Sequence, residues 1–532
     1  MQIVRQNFET SFVVKKDVSH ALIHALRPTI PILIVFDGEI ETHPGSGFSL
    51  SKLIDLLERP PSLLALRGRF GVVLAERGHG QPQTNPNPQR YEPKYSRFRF
   101  NMQGFDLTRF HEVWLFGWAS EGDLDLAPEE LSILASWMNA GGGVFATGDH
   151  DTHGASLSGS ILRLRSMRRW RHDQNPPPGS GRQRRETTQP AIAGQGVTGE
   201  GGPIPVLNEQ DAFPKPITPT FLSWTTGPDS EETRVDTVHP LLCHIGGPIT
   251  VLPDHPHEGE VIDYHGVRFD RGEFPGVDPV VVAMAHSGAP LSTDLRYESD
   301  AMGERVDRID FPVVGAYDGQ RAGVGRIVVD SGLHHWLDQN LGGFTPETLA
   351  TIQSYHLNVA VWLARSEDRI QFAAGGIMTA MLAYPGLMDL NLNHRTLHEV
   401  GRGVSIQLQR VMSPCEIATT TTRPEWNDQP DIDRREPDLN RLPRTCLSCP
   451  PAEDLTAYTL GGIAESLIGV ISNYRKLDAK DIDPKNVREQ VAKAIQEGRT
   501  RGRMHFVTDL KESVKKSGSL VDKIEKLTKE SS

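Results

Sequence analysis

Cysteine is scarce in this sequence of 532 residues, which has only Cys243, Cys415, Cys446 and Cys449. So few thiols cannot build a disulfide framework, and we expect the chain to work in a reducing compartment. The start of the chain lacks an apolar core of signal-peptide length, and no run of about 18 apolar residues occurs. These absences predict a cytoplasmic protein without a membrane span.

Apolar residues are also sparse, at 37%, whereas glycine and proline are frequent, with 50 and 38 residues. This composition predicts a globular chain with long loops. The net charge of -12 argues against an extensive nucleic-acid-binding surface, because such a surface needs an excess of positive charge.

Short apolar runs between polar turns predict the strands of a mostly parallel sheet. The predicted strands are Ile30–Phe36, Gly71–Ala75, Val113–Phe116, Val144–Thr147, Ile249–Leu252, Val280–Ala285, Val313–Ala316 and Ile327–Asp330. Helices are predicted at Ser49–Glu58 and Pro128–Asn139, and another begins after the cap Thr345 and runs to about Ala364. Because strands and helices alternate, we expect a doubly wound α/β fold with right-handed crossovers.

The composition changes along the chain and predicts four regions. Residues 1–365 form the α/β domain, with long loops at 78–104 and 171–220, and 366–417 form a helical segment. Residues 418–452 are a linker or loop, and 453–532 are helical. The apolar stripes of these helices must be buried, either on the first domain or in a homo-oligomer or protein partner.

One polar segment follows the fourth predicted strand directly, between Gly148 and Gly154. It contains four candidate catalytic side chains, Asp149, His150, Asp151 and His153. Carboxylates and imidazoles are ligands for Zn²⁺, Mn²⁺ or Fe²⁺, and the glycines permit the sharp turn that would let them converge. The alternative is a polar loop in which an aspartate caps the next helix and the histidines are solvated.

Other strand ends supply further candidates, because open α/β sheets bind ligands at the carboxyl ends of their strands. The predicted metal ligands are Asp37, Asp149, His150, His153, His334 and His335, with Asp330 beside them. Adjacent residues rarely point at one site, so at most one of the two late histidines is expected to act. The segment 254–260 has a similar composition, with an exposed polar turn as its alternative. The lone Cys446–Cys449 pair is expected to be reduced and structural, and a zinc site with Cys415 and His394 or His398 is its alternative.

Arginines cluster after the glycine-flanked segment. Arg163, Arg165, Arg168 and Arg169 come first, followed by Arg171, Arg182, Arg184 and Arg185. Arg165 and Arg169 are four residues apart, so on a helix they would share a face. Because guanidinium forks match phosphate geometry, the first four arginines are the predicted binding site for an anionic small molecule or nucleotide. The alternative is a solvated face or a set of internal salt bridges.

Three short motifs together resemble a known superfamily. Gly141-Gly142-Gly143 followed by a strand and a polar elbow resembles class I glutamine amidotransferase-like domains, and is closer to their ThuA-like relatives. The turn Asp236–Pro240 and the segment Gly323–Gly332 resemble later ThuA-like motifs. The resemblance covers about residues 28–365 and implies a flavodoxin-like α/β fold. The thiol nucleophile of that superfamily is missing, because no cysteine precedes Cys243 and the elbow holds Asp149 and His150.

Two functions are compatible with these features. The first is a metal-dependent hydrolase, in which the metal would lower the pKa of a bound water and the arginines would orient an anionic substrate. The second is a non-catalytic ligand sensor or scaffold that assembles through its helical C-terminal region. Convergence of Asp37, the elbow residues and one late histidine would favour the enzyme.

Overall fold

The computed structural model describes residues 14–26, 29–61, 69–120, 122, 124–149, 152–170, 214–224, 233–253, 260–262, 264, 268–287, 309–383, 396–409, 417 and 452–530. The chain has two compact units. The α/β unit comprises Thr29–Leu222 and Asp236–Arg369, and the helical unit comprises Met1–Pro28, Ser223–Val235 and Ile370–Ser532.

The strands are β1 (Thr29–Asp37), β2 (Arg69–Arg77), β3 (Gln83–Thr84), β4 (Tyr95–Ser96), β5 (Glu112–Phe116), β6 (Gly143–Thr147), β7 (Arg168–Arg169), β8 (Pro214–Pro219), β9 (Phe221–Trp224), β10 (Thr233–Val238), β11 (Cys243–His244), β12 (Gly247–Pro248), β13 (Val251–Pro253), β14 (Glu260–Val261), β15 (Val280–Ser287), β16 (Ile309–Tyr317) and β17 (Ile327–Asp330). The α-helices are α1 (Lys16–Ala25), α2 (Ser51–Glu58), α3 (Pro128–Asn139), α4 (Ala155–Ser158), α5 (Leu164–Met167), α6 (Pro346–Leu363), α7 (Ser366–Ala383), α8 (Leu397–Leu408), α9 (Ala452–Tyr474) and α10 (Pro484–Glu530).

A large mixed sheet organises the α/β unit. Its order is β13-β8-β15-β16-β17-β6-β5-β1-β2-β4-β3. The central strands β17, β6, β5, β1 and β2 are parallel, whereas β16, β15, β8 and β13 extend one side in antiparallel pairs. The predicted α/β architecture and its parallel pairing are therefore confirmed.

The central strands are apolar on both faces, because helices and loops cover both sides of a parallel sheet. Residues 32–36 of β1 are all buried, and so are all five residues of β5 and of β6. Leu134, Trp137 and Met138 of α3 belong to the same hydrophobic core. This rigid centre fixes the strand ends that carry the polar candidates.

Three predicted loops or helices differ from the structure. The expected loop 78–104 contains β3 and β4, which pair with each other, and the expected loop 171–220 ends in β8. The prediction that Arg165 and Arg169 share a helical face is wrong, because α5 ends at Met167. Arg168 and Arg169 form β7 and pair with β14, a contact distant in sequence that overrides the local helical pattern.

The turn Asp236–Pro240 leads into a buried 3₁₀ helix, Pro240–Leu242, in which His239 accepts a hydrogen bond from the Leu241 amide. The Asn358 side chain of α6 donates to the Cys243 carbonyl at 2.7 Å. Cys243 is disulfide-bonded, whereas the sequence favours reduced thiols. Cys415, Cys446, Cys449 and His394 lie outside the described residues.

The helical unit has its own core, which joins α1, α7, α8, α9 and α10. Glycines let α8 and α9 touch at the backbone. A Cβ added at Gly401 would lie 1.6 Å from the Ala457 carbonyl oxygen, and one added at Gly461 would lie 1.8 Å from that of Leu397. Because such distances are impossible for a real side chain, this crossing requires glycine at both positions.

One described helix segment, Leu455–Tyr474, is long and apolar enough to cross a membrane, with a mean hydropathy of 1.3. Of this segment, 56% is buried inside the protein. Its buried side chains, such as Leu460, Ile463 and Leu467, belong to the core of the helical unit. The central helix of a helical core has the same composition as a membrane span, so burial accounts for this apolar stretch.

Candidate active site

Four adjacent parallel strands, β17, β6, β5 and β1, end at one side of the sheet, which we call the carboxyl edge. Asp37 is the last residue of β1, and Trp118 follows β5. Asp149 follows β6, and His334 lies in the 3₁₀ helix Leu333–His335 after β17. The fold therefore brings these residues to the side of the sheet where α/β proteins bind ligands.

Three glycines hold the polar elbow against the end of β5. A Cβ added at Gly117 would lie 2.5 Å from the Cα atom of Gly154, and one added at Gly148 would lie 2.3 Å from the His153 carbonyl oxygen. Gly154 also has a φ of +91°, and its amide donates to the Ala119 carbonyl at 3.2 Å. Only glycine permits this close crossing, so the sharp turn expected from the sequence is present.

Asp37 is buried, and the described residues provide donors to only one of its carboxylate oxygens. Its Oδ1 atom accepts from the amides of Trp118 and Ala119, at 2.5 and 2.9 Å. Its Oδ2 atom has no hydrogen-bond partner among the described residues. Burial raises the pKa of the Asp37 carboxyl to about 6, although the two amides and the charges of Arg77 and His153 act in the opposite direction.

His153 lies beside this carboxyl and is half-buried. Its Nδ1 atom donates to the Trp118 carbonyl at 2.8 Å, and its ring stacks on the Trp118 ring with centroids 4.8 Å apart. A proton on Nδ1 places the lone pair of the neutral ring on Nε2, the atom that would bind a proton or a metal. Asp37 and His153 are therefore organised by the same short segment after β5.

Asp149 and His334 form a second, more deeply buried pair. The His334 Nε2 atom lies 3.2 Å from Asp149 Oδ2, and its Nδ1 atom lies 2.9 Å from Asn340 Oδ1. Acceptors thus face both ring nitrogens. The Phe48 ring meets both Trp118 and His334 edge-on, at 5.4 and 5.6 Å, and so lies between the two pairs.

The neighbouring His335 turns to a different partner. Its Nδ1 atom donates to Asp330 Oδ1 at 2.6 Å, and the Gly332 amide donates to the same oxygen. The Trp336 indole and the Tyr355 hydroxyl donate to Asp330 Oδ2 at 3.1 and 2.8 Å. Because every group in this network is buried and bonded, Asp330 and His335 hold the structure together at the end of β17.

The first two predicted anion-binding arginines are bound by Glu273. The Arg163 amide and the Arg165 Nε atom both donate to the Glu273 carboxylate, at 2.9 and 3.0 Å. The buried Arg163 guanidinium also donates to the Glu273 carbonyl and to Asn139. These contacts agree with the alternative predicted from the sequence, in which the arginines form internal salt bridges.

The other two arginines are buried in β7. One nitrogen of Arg168, Nη2, donates to the carbonyl oxygens of Asp149 and Ser331, at 2.8 and 2.9 Å. Arg169 has an exposed fraction of 3% and pairs through its backbone with Glu260. Arg168 thus bonds to the main chain around the site, and its position is not that of a surface anion ligand.

Several predicted site residues lie outside the described part of the chain. These are His150, Asp151, Arg171, Arg182, Arg184, Arg185 and residues 254–259. Among the residues that the structure does describe, no three histidine, cysteine or acidic side chains are arranged to hold a metal ion. From the predicted set, the structure brings together Asp37 with His153 and Asp149 with His334, and it places Asp330 with His335 in the separate buried network after β17.

Trp118, Phe48 and Asn340 are not among the site residues predicted from the sequence. Trp118 stands two residues after a correctly predicted strand, so the strand-end rule that selected Asp37 could have selected it too. Phe48 and Asn340 lie in loops and carry no local signal, because their roles depend on contacts distant in sequence.

Comparison with known proteins adds no identification: no family model, no curated protein and no solved structure matches this chain.

Proposed function

We propose that this protein is a hydrolase whose acid–base groups are Asp37 and His153 at the carboxyl edge. The observation that carries the proposal is the Asp37 carboxyl, which is buried, has one oxygen without a partner among the described residues, and has a pKa raised to about 6. Buried groups with perturbed pKa values, placed at strand ends, are typical of catalytic sites. We also propose kinship with thiol-free amidotransferase-like domains of doubly wound fold, supported by the glycine-flanked elbow after β6.

His153 is the proposed general base. In its neutral form, with the Nδ1 proton on the Trp118 carbonyl, the Nε2 lone pair can take a proton from an attacking water. The ionised Asp37 carboxylate then stabilises the imidazolium that forms, because opposite charges attract strongly where water is excluded. This division of roles requires Asp37 to be ionised, so the rate should rise with pH through about 6.

Asp149 and His334 are the proposed second acid–base pair. Both are nearly enclosed, with exposed fractions of 1% and 2%, and Asn340 orients the His334 ring. Because both side chains are almost fully buried, this pair is less accessible to a substrate than the half-buried His153 is. We therefore assign turnover primarily to the more exposed His153.

A divalent metal, Zn²⁺, Mn²⁺ or Fe²⁺, stays a prediction. Asp37 and His153, with His150 or Asp151, would be its ligands, and it would supply an activated water. Catalytic zinc sites use three protein ligands, and the described residues provide no such group of three, so no step is assigned to a metal. An anionic small molecule or nucleotide likewise stays a proposed substrate, with less support now that Arg163 and Arg165 both bind Glu273.

The test is hydrolysis of p-nitrophenyl acetate, p-nitrophenyl phosphate and bis-p-nitrophenyl phosphate from pH 5 to 9. The full chain is assayed after dialysis against EDTA and again after addition of Zn²⁺ or Mn²⁺. We expect turnover of at least one substrate, and a loss of roughly 100-fold or more in Asp37→Asn and His153→Gln. Metal dependence is read from the difference between the two preparations.

Glu112→Gln is the matched control. Glu112, the first residue of β5 and thus at the opposite edge, is also buried with one oxygen unpartnered among the described residues, and burial raises its pKa well above the ordinary value. Its replacement should leave turnover unchanged. No turnover with any substrate or metal, or an unaltered rate in Asp37→Asn, would contradict the proposal and favour a ligand-sensing or scaffold protein.

A further inference from the structure

Arg168 occupies an unusual place between the two strands that carry the Asp149–His334 pair. Its exposed fraction is 0%, and its Nη2 atom donates to the carbonyl oxygen of Asp149 and to that of Ser331. Asp149 follows β6, and Ser331 follows β17, the neighbouring parallel strand. One guanidinium nitrogen therefore joins the main chains that leave the two strands.

These two carbonyl groups lie close to the side chains of the Asp149–His334 pair. Asp149 itself contacts His334 through its side chain, and Ser331 precedes His334 by three residues in the same short loop. Two carbonyl oxygens that face one another repel, and a charged donor placed between them makes two strong hydrogen bonds instead. Removing that donor would let the two loops separate and would lengthen the 3.2 Å contact between Asp149 and His334.

The guanidinium group is itself held in place. Its central carbon lies 4.3 Å from the centroid of the Trp170 ring, a cation–π contact inside the core. The Trp170 indole donates to the Leu164 carbonyl at 3.0 Å. The same ring lies against Gly154, because a Cβ added there would be 3.3 Å from its Cζ3 atom. Arg168 and Trp170 thus contact the two ends of the elbow, at Asp149 and at Gly154.

We propose that Arg168 is a positioning residue, which fixes the distance between Asp149 and His334 by bridging the main chains after β6 and β17. This role deepens the proposed function, because it concerns the second acid–base pair of the same site. It also replaces the anion-binding role that the sequence predicts for this arginine. The positive charge serves two backbone carbonyls and the Trp170 ring, all of them buried.

The test follows the His334 ring by NMR in the full chain labelled with ¹⁵N-histidine, with His334→Gln for assignment. In Arg168→Met, which keeps an unbranched apolar stem but has no donor, we expect the His334 ring signals to move away from their wild-type positions at pH 7. Arg168→Lys keeps the charge and can still donate, so its shift should be smaller. Arg169→Met, an equally buried arginine of the same strand, is the control and should leave the His334 signals in place.

This experiment needs no substrate, so its outcome is separate from that of the hydrolase assay. If turnover is found, Arg168→Met should lower kcat and leave KM nearly unchanged. His334 ring signals that match those of the wild type in the folded Arg168→Met protein would overturn the proposal. If that variant does not fold, Arg168→Gln decides, because its shorter, neutral side chain cannot reach both carbonyl oxygens: moved His334 signals support the bridge, and unchanged signals overturn it.

Discussion

Asp37 and Asp330 are the last residues of two strands in the same parallel set, and both are buried almost completely, with exposed fractions of 1% and 0%. Four donors reach Asp330, two at each oxygen. Among the described residues, two donors reach Asp37, both at Oδ1. Similar burial at equivalent positions thus gives one carboxylate with both oxygens bonded and another whose Oδ2 atom has no partner among those residues, and the number of donors makes the difference.

The donors differ because the segments after the two strands differ. Asp330 is followed within six residues by His335 and Trp336, and α6 adds the Tyr355 hydroxyl. Asp37 is followed by Gly38, whose φ of +66° turns the chain beneath the Trp118 ring. The only donors that reach Asp37 from the described residues are backbone amides after β5, and they approach from one side.

The largest effect is expected for Asp330→Ala. This change leaves the buried donors of His335, Trp336 and Tyr355 without their acceptor. We expect a loss of about 3–5 kcal/mol in the free energy of unfolding, the range found when one partner of a buried polar network is removed. Urea denaturation at pH 7 measures this loss. A loss below about 1 kcal/mol would show that the hydrogen bonds to Asp330 contribute little to the stability of the fold.

Asp37→Asn should change stability in the opposite direction at high pH. The pKa of Asp37 is raised from 3.8 to about 6, so the folded chain holds this proton more tightly than the unfolded chain does. The corresponding stabilisation is complete below pH 3.8 and is lost as the pH rises through 6. Ionisation of Asp37 alone therefore lowers the stability of the folded wild type by about 3 kcal/mol at pH 8 relative to low pH, and asparagine removes this contribution.

Denaturation of both proteins at pH 5 and pH 8 measures the effect. The advantage of Asp37→Asn over the wild type should be larger at pH 8, because the buried wild-type carboxyl is ionised there and the asparagine amide is not. The asparagine amide oxygen can still accept from the Trp118 and Ala119 amides at both pH values. An Asp37→Asn protein that is less stable than the wild type at pH 8 would show that the Asp37 carboxylate stabilises the fold, as the Asp330 carboxylate does, and would contradict the difference between them.

The smallest effect is expected for Tyr355→Phe. It removes one donor from Asp330 Oδ2, while the Trp336 indole continues to donate to the same oxygen at 3.1 Å. We expect a loss of about 0.5–1.5 kcal/mol, the net contribution of one hydrogen bond, because the acceptor keeps another donor. Thermal or urea unfolding at pH 7 measures the loss. A loss as large as that of Asp330→Ala would mean that the Tyr355 hydroxyl alone provides the stabilisation that we attribute to all four donors.

Local patterns predict the central part of the fold well. The apolar runs before Asp37 and Asp330 and the helix Pro128–Asn139 are in the structure as expected, because buried parallel strands and capped helices have strong local signals. The shared edge of Asp37, Asp149 and His334 follows from parallel pairing alone. The sequence therefore predicts which side of the sheet carries the candidate site.

The details of the site depend on contacts that local patterns do not encode. Arg168 is predicted to lie in a helix but lies in β7, because β7 pairs with β14, nearly a hundred residues away in the chain. The separation of His334 from His335, each with its own aspartate, depends on the loop geometry after β17. The role of Trp118 depends on the elbow crossing at Gly117 and Gly154.

The most direct test of the account is the titration of the Asp37 carboxyl itself. The full chain is labelled with ¹³Cγ-aspartate, and the Asp37 signal is assigned by its loss in Asp37→Asn. The account predicts a midpoint near pH 6, well above that of ordinary aspartates. A midpoint at or below the ordinary value of 3.8 would show that Asp37 is fully stabilised as a carboxylate, and would contradict the acid–base role that we propose for it.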